Sequence, residues 1–246
     1  MKRFLCAFAL VLLSSVVLAE NFEDFLDAVE KENVTKSMYL IKEGSAPIVK
    51  ITAIPDGLAE KITNVSYRPE CIDIKKLSLL TIIHWDFDGR LRVGQMIVNK
   101  KIAQECADIF TELFNDRYQI EKIKLIDEYN ASDDDSMLDN NSSALCCRIK
   151  TGQENEENPI WSKHSYGTAI DINPVQNPYV KPEKDLILPP NGEDYVDRTV
   201  VKKGMIIEGD PCYTAFVKRG WIWGGDWDPD DEKGRVDWQH FEKEII

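Results

Sequence analysis

Two short stretches, Ser162-Lys163-His164-Ser165-Tyr166-Gly167-Thr168-Ala169-Ile170-Asp171 and Asp237-Trp238-Gln239-His240-Phe241-Glu242, hold two of the chain's three histidines, each near a carboxylate. Neutral imidazole and carboxylate are the nitrogen and oxygen donors that zinc takes. Two histidines and one acid fill three tetrahedral positions and leave the fourth for water, which is the open coordination of a catalytic zinc. Such an ion brings the pKa of water down to about 7 and polarises a carbonyl, so amide hydrolysis is the chemistry these residue types permit. His164, Asp171 and His240 are the candidate ligands for one zinc ion per chain. Asp237, three residues before His240, is the candidate base that takes the proton of water and returns it to the leaving amine.

Positioning makes demands on the backbone. His164 and Asp171 are seven residues apart, and on one continuous strand they would point to opposite faces. Gly167 supplies a bend. With a strand over Thr168 to Ile172, Ala169 and Asp171 share one face and Ile170 and Ile172 the other, so Asp171 projects toward the turn that carries His164. His240 then arrives on a neighbouring strand. Taken singly, each residue has a plainer use: a turn cap for Asp171, a pair with Arg235 or Lys243 for Asp237, a satisfied core group for the third histidine, His84. Their occurrence in the order His, Asp, Asp, His shifts the balance toward a site.

The remaining chain reads as short strands mixed with a few helices. An apolar run from Leu77 to His84 and a strand pattern from Arg92 to Val98 flank Asp88-Gly89, a strong hairpin signal. Asn99 is read as the cap of a helix that runs to about Tyr118 with Ile102, Cys106, Ile109, Phe110 and Leu113 on one face. Gln119 to Leu125 reads as a short strand. The polar stretch Asp127 to Ser143 reads as a loop, and its triplet Asp133-Asp134-Asp135, lacking the spacing of a calcium loop, as a solvated turn. Asp210 caps a helix that begins near Pro211 and stops at Gly220. No βαβ rhythm occurs, so the fold class is α+β.

Composition narrows the function classes. Asp and Glu outnumber Lys and Arg by 43 to 30, for a net charge of −13, which disfavours nucleic acid as a partner because phosphate binding rests on clustered bases. Lys2 and Arg3, the apolar stretch Phe4 to Leu13 and the small-residue site Val17-Leu18-Ala19 read as a signal peptide over residues 1–19. The apolar stretch is shorter than the roughly 20 residues of a spanning helix, so no stable membrane insertion is expected after cleavage. The remainder is expected in the periplasm, outside the cell or on the cell wall. Residues 20–60 read as an N-terminal extension with an amphipathic start at Phe22, Phe25, Leu26 and Val29, and 61–246 as the catalytic domain. Cys71, Cys106, Cys146, Cys147 and Cys212 follow the leader; adjacent cysteines rarely pair with each other, and no particular bridge is expected.

Ser162, His164, Gly167, Ala169 and Asp171, followed by Asp237 and His240, fill every position of the pattern Ser-x-His-x-x-Gly-x-Ala-x-Asp then acid-x-x-His. In this the chain resembles the zinc peptidoglycan peptidases, which include D-alanyl-D-alanine carboxypeptidases and L-alanyl-D-glutamate endopeptidases. The stretches Asn140 to Arg148, Asp171 to Tyr179 and Trp223 to Trp227 resemble the carboxypeptidase-like branch, and the resemblance runs from about residue 82 to the end. It implies a Hedgehog and D-Ala-D-Ala-peptidase-like zinc fold, a small antiparallel sheet flanked by helices. It implies zinc on His164, Asp171 and His240, Asp237 as general base, and peptidoglycan stem peptides as substrate. Arg148 matches the arginine that holds the substrate carbonyl or its oxyanion, a task suited to a guanidinium. Ser162 either donates to substrate or fixes the turn before His164. Within the class, cleavage between L-Ala and D-Glu is the alternative to removal of a terminal D-Ala; outside it, a wall-binding module with a non-catalytic zinc.

Overall fold

A computed structural model describes residues 48–150, 153, 157–227 and 234–245. The leader over 1–19 and the amphipathic stretch Phe22 to Val29 lie outside the described residues. Three small antiparallel sheets, one short parallel pair and four helices make up the described chain, an α+β arrangement.

The first sheet has the order β1-β2-β3, with β1 at Val49–Thr52, β2 at Leu77–Trp85 and β3 at Leu91–Asn99. The hairpin expected around Asp88-Gly89 is there, in register from Leu77 opposite Asn99 to Trp85 opposite Leu91. Its turn is tied by Asp86, whose carboxylate accepts from the Nε atoms of both Arg90 and Arg92 at 3.0 and 2.9 Å. Helix α1, Asp56–Ile62, spans the position at which an extension was expected to give way to the main domain, and β1 before it pairs along its length with β2.

Helix α2, Ala103–Asn115, buries the expected face, with Cys106, Ile109, Phe110 and Leu113 in the main core against the hairpin. Each such large side chain contributes about 1.5–3 kcal/mol by leaving water. The helix starts later than the sequence suggested. Asn99 ends β3, and its side chain serves the chain after it, accepting from the Lys101 amide at 3.1 Å and donating to the Tyr166 carbonyl at 3.1 Å.

The stretch Asp127 to Ser143 is not the loop it resembles. Beyond β4, Lys122–Ile123, it contains helix α3, Asp133–Leu138, and ends in β5, Asn141–Ser142, which pairs in parallel with β4. Ser132 caps α3 by accepting from the Asp135 amide, and the acidic triplet occupies the first turn, where the exposed N–H groups favour negative charge.

The second sheet, β6-β11-β9, consists of Ala169–Asp171, His240–Glu242 and Ile222–Trp223, and the third, β10-β7-β8, of Val236–Asp237, Tyr179–Lys181 and Leu186–Leu188. Helix α4, Pro211–Val217, is capped as expected: the Asp210 carboxylate accepts from the Tyr213 amide at 2.7 Å. Phe216 of α4 stacks on Phe241 of β11 with ring centroids 4.1 Å apart and meets Trp221 edge-on at 5.2 Å. This aromatic cluster anchors the strand that begins with His240.

Cys71 and Cys147, 76 residues apart, form a disulfide; Cys106, Cys146 and Cys212 are buried free thiols. His84 is also a core group, its Nδ1 bonded to the Ile120 carbonyl at 3.0 Å and its pKa lowered by burial to about 4. Among the described residues no helix is long and apolar enough to cross a membrane.

Candidate metal centre and cleft

Ser162 opens the turn that carries His164. Its hydroxyl accepts from the His164 amide at 3.3 Å, and a short 3-10 helix, Lys163–Tyr166, follows. Gly167 ends that helix at φ +63°, where a β-carbon would lie 2.7 Å from the Asn99 amide nitrogen. That approach lets the Asn99 amide donate to the Gly167 carbonyl at 2.8 Å, so the outer end of the hairpin holds the turn in place. The chain then enters β6. Its last residue, Asp171, stands directly opposite His240 of β11, and both side chains rise from the same face.

Three donor atoms converge. His240 Nδ1 lies 3.0 Å from Asp171 Oδ1, His164 Nε2 lies 3.2 Å from Asp171 Oδ2, and the two ring nitrogens are 3.2 Å apart. All three residues are buried, and their ligand atoms fall within 4.8 Å of one another.

The outer ring nitrogens settle which inner atoms carry lone pairs. His164 Nδ1 contacts the Ala144 carbonyl at 2.6 Å, and a carbonyl only accepts, so Nδ1 carries the hydrogen and Nε2 the lone pair. His240 Nε2 lies 3.2 Å from Glu242 Oε2, which takes a hydrogen from it and leaves Nδ1 as the inner lone pair of the neutral ring. Two lone pairs and a carboxylate turned on one buried point call for a cation among them. The donor set fits zinc. His240 registers the same demand: burial acts to lower its pKa, but the carboxylates of Asp171 and Glu242 outweigh this and raise it to about 10. Burial likewise acts to raise Asp171, while the two imidazoles pull it well below the usual carboxylate range.

Glu242 was not singled out in the sequence. The signal was present, because on a strand residues two apart share a face, so a carboxylate at Glu242 must accompany the ring of His240.

A cavity of about 160 Å³ opens over these residues, walled by Arg148, Trp161, Tyr179, Trp227, Arg235 and Asp237 among others. Asp237 enters from β10, which pairs with Tyr179 and Val180 of β7. Its Oδ1 is buried without a hydrogen bond. Burial raises its pKa to about 7, Asp171 adding to the rise while His240, Arg148 and Arg235 oppose it.

Of the other two candidates, Arg148 lines the cavity and its guanidinium is paired with Asp133 of α3, Nη2 to Oδ2 at 2.7 Å. Ser162 is absent from the cavity wall, and of its two expected uses the geometry supplies the turn before His164. The Trp223 to Trp227 segment divides its tasks. Trp223 is core, donating from Nε1 to the Trp238 carbonyl at 2.8 Å, whereas Trp227 faces the cavity with its ring centroid 5.6 Å from that of His240 and the Arg235 guanidinium 4.7 Å from its own.

Residues 155–243 match the model of a family described as D-alanyl-D-alanine carboxypeptidase. His164, Asp171, Asp237 and His240 fall inside that stretch, and Arg148 ahead of it. Over that stretch the chain is similar to this family, as its motifs suggested. No curated protein and no solved structure matches the chain significantly.

Proposed function

We propose that the chain is an exported zinc peptidase that removes a terminal residue from peptidoglycan stem peptides, in the manner of a D-Ala-D-Ala carboxypeptidase, on a Hedgehog and D-Ala-D-Ala-peptidase-like fold. The observation that carries this reading is the convergence of His164, Asp171 and His240 with both outer ring nitrogens held, beside a half-buried carboxyl at Asp237 whose Oδ1 is enclosed without a hydrogen bond. Zinc held by those three residues would supply Lewis acidity toward a water molecule and the scissile carbonyl.

The protein's own groups supply the rest. Asp237, with its pKa raised to about 7, is matched to taking a proton at neutral pH and giving it back to the leaving amine. Arg148 is held by Asp133 at the wall, where a fixed guanidinium can receive an oxygen of the substrate. Trp227 offers an aromatic face to the peptide beside His240. Arg148, Lys150, Lys163 and Arg235 border the cavity beside the carboxylates of Asp133, Asp171, Asp237 and Glu242, and are the cations available to a substrate that ends in a free carboxylate. The disulfide Cys71–Cys147 supports export, since such bonds persist in oxidising compartments.

The test is incubation of the purified, zinc-loaded protein with a defined pentapeptide muropeptide and mass spectrometry of the products. Loss of a single D-Ala supports the reading. Cleavage between L-Ala and D-Glu would move the assignment to an endopeptidase, and binding without turnover would leave a wall-recognition module.

A further inference from the structure

Behind the turn that carries His164 lies a second cavity, of about 650 Å³, with an unusual lining for a chain of net charge −13. Lys75, Lys76, Lys100, Lys101, Lys163 and Lys243 border it, with Glu244 as the one acidic residue among the described residues of its walls. The fold concentrates them. Lys75 and Lys76 immediately precede β2 and Lys100 and Lys101 immediately follow β3, so the register that sets Leu77 opposite Asn99 brings the two lysine pairs side by side. The Lys100 amide donates to the Lys76 carbonyl at 2.7 Å, which fixes their spacing. Lys163 pairs with Glu244, and Lys243 with Glu105 at 3.1 Å. Among the described residues Lys75, Lys76 and Lys100 enter no ion pair. Like charges gathered round one cavity repel one another and call for an anion.

We propose that this cavity binds a linear phosphodiester chain without bases. All six cations are lysines. Compact ammonium groups with three rotatable donors can meet tetrahedral phosphate oxygens approached from several sides. Two adjacent lysine pairs suit successive phosphates on one chain better than a single anion. Nucleic acid is disfavoured because Tyr166 is the single aromatic side chain among the described residues of the lining, too little for a stacking platform. An anionic membrane is disfavoured because the site is concave and none of the exposed large hydrophobic residues borders it. Lys163 borders both cavities, so a chain held here lies beside the peptide site.

Isothermal titration of the full zinc-loaded chain with a synthetic glycerol phosphate hexamer at low salt tests this. Saturable binding is expected, at least ~10-fold weaker in Lys76→Ala/Lys100→Ala and retained in Lys76→Arg/Lys100→Arg and in Lys202→Ala/Lys203→Ala, where the lysines lie elsewhere. Chelator-treated protein is expected to bind the hexamer equally well, which separates this site from the metal centre and from the peptidase reading. The proposal is overturned by absence of binding, by binding indifferent to Lys76→Ala/Lys100→Ala, or by binding lost with the metal. It is equally overturned if hexaglutamate, an oligonucleotide of equal charge or anionic vesicles bind at least as tightly as the hexamer.

Discussion

A β-carbon on Gly224 would lie 2.5 Å from the backbone oxygen of Asp237 and 2.9 Å from its Cβ. The glycine thus lets the Trp223 to Trp227 segment pass directly behind the carboxyl proposed as base. Gly224→Ala must push β10 away, at a cost of about 1–3 kcal/mol in stability. A displacement of a reacting group by about 1 Å costs on the order of 100-fold in rate. The expected variant is folded, retains zinc by elemental analysis and has lost most of its turnover. Unchanged turnover would mean that the position of Asp237 is not critical.

Asp237→Asn separates chemistry from folding. Turnover should fall by about 10²–10⁴-fold while zinc content is unchanged. Stability should move the other way. Burial raises the pKa of Asp237 to about 7, so the folded chain holds a proton that the unfolded chain releases near pH 4, and the wild type loses stability as pH rises between those values. Chemical denaturation of the chelator-treated proteins should show the Asn variant more stable by about 1–3 kcal/mol at pH 8 and equal to wild type at pH 4. A pH-independent difference would refute the raised pKa of this half-buried carboxyl.

What the sequence disclosed and what it concealed differ by range. The hairpin was legible because strand alternation and Asp88-Gly89 act locally, and the bend at Gly167 because opposite faces had to be reconciled between His164 and Asp171. Helix α3 was hidden: Ser132 followed by acids is a cap with a favourable first turn, but six residues of Asp, Ser, Met and Leu carry no periodic apolar face to announce it. The partner of Arg148 was hidden with it, since Asp133 meets the guanidinium only once α3 has formed. The pairing of Cys71 with Cys147, and the gathering of six lysines at one cavity, depend on tertiary contacts that no local pattern encodes.

Glu242 should set the grip on the metal without touching it. Its carboxylate holds His240 Nε2 and thereby fixes which nitrogen faces Asp171. Removing such a partner typically weakens metal binding by about 10–100-fold. Competition against a zinc chelator should place Glu242→Ala in that range, Glu242→Gln between it and wild type, and His164→Ala, Asp171→Ala and His240→Ala beyond measurable binding. Wild-type affinity in Glu242→Ala would mean that the ring of His240 is oriented by its packing alone.

Acid should expose a link between two helices distant from the site. Glu112 of α2 accepts from Arg219, just beyond α4, at 2.5 and 3.1 Å, and pairs with Lys218 at 2.6 Å. These contacts, the Arg219 hydrogen bonds foremost, lower its pKa to about 2 against the opposing effect of burial. Because the folded pKa is depressed, the stabilisation is present in full above the unfolded value of about 4.3 and disappears as pH falls through about 2. The Glu112 side chain is 34% exposed, so solvent screening leaves a contribution of only about 0.5–1 kcal/mol. Thermal denaturation should show Glu112→Gln less stable than wild type at pH 7, the difference shrinking in high salt and closing toward pH 2. A gap that persists at pH 2 would assign the effect to packing of the side chain rather than to its charge.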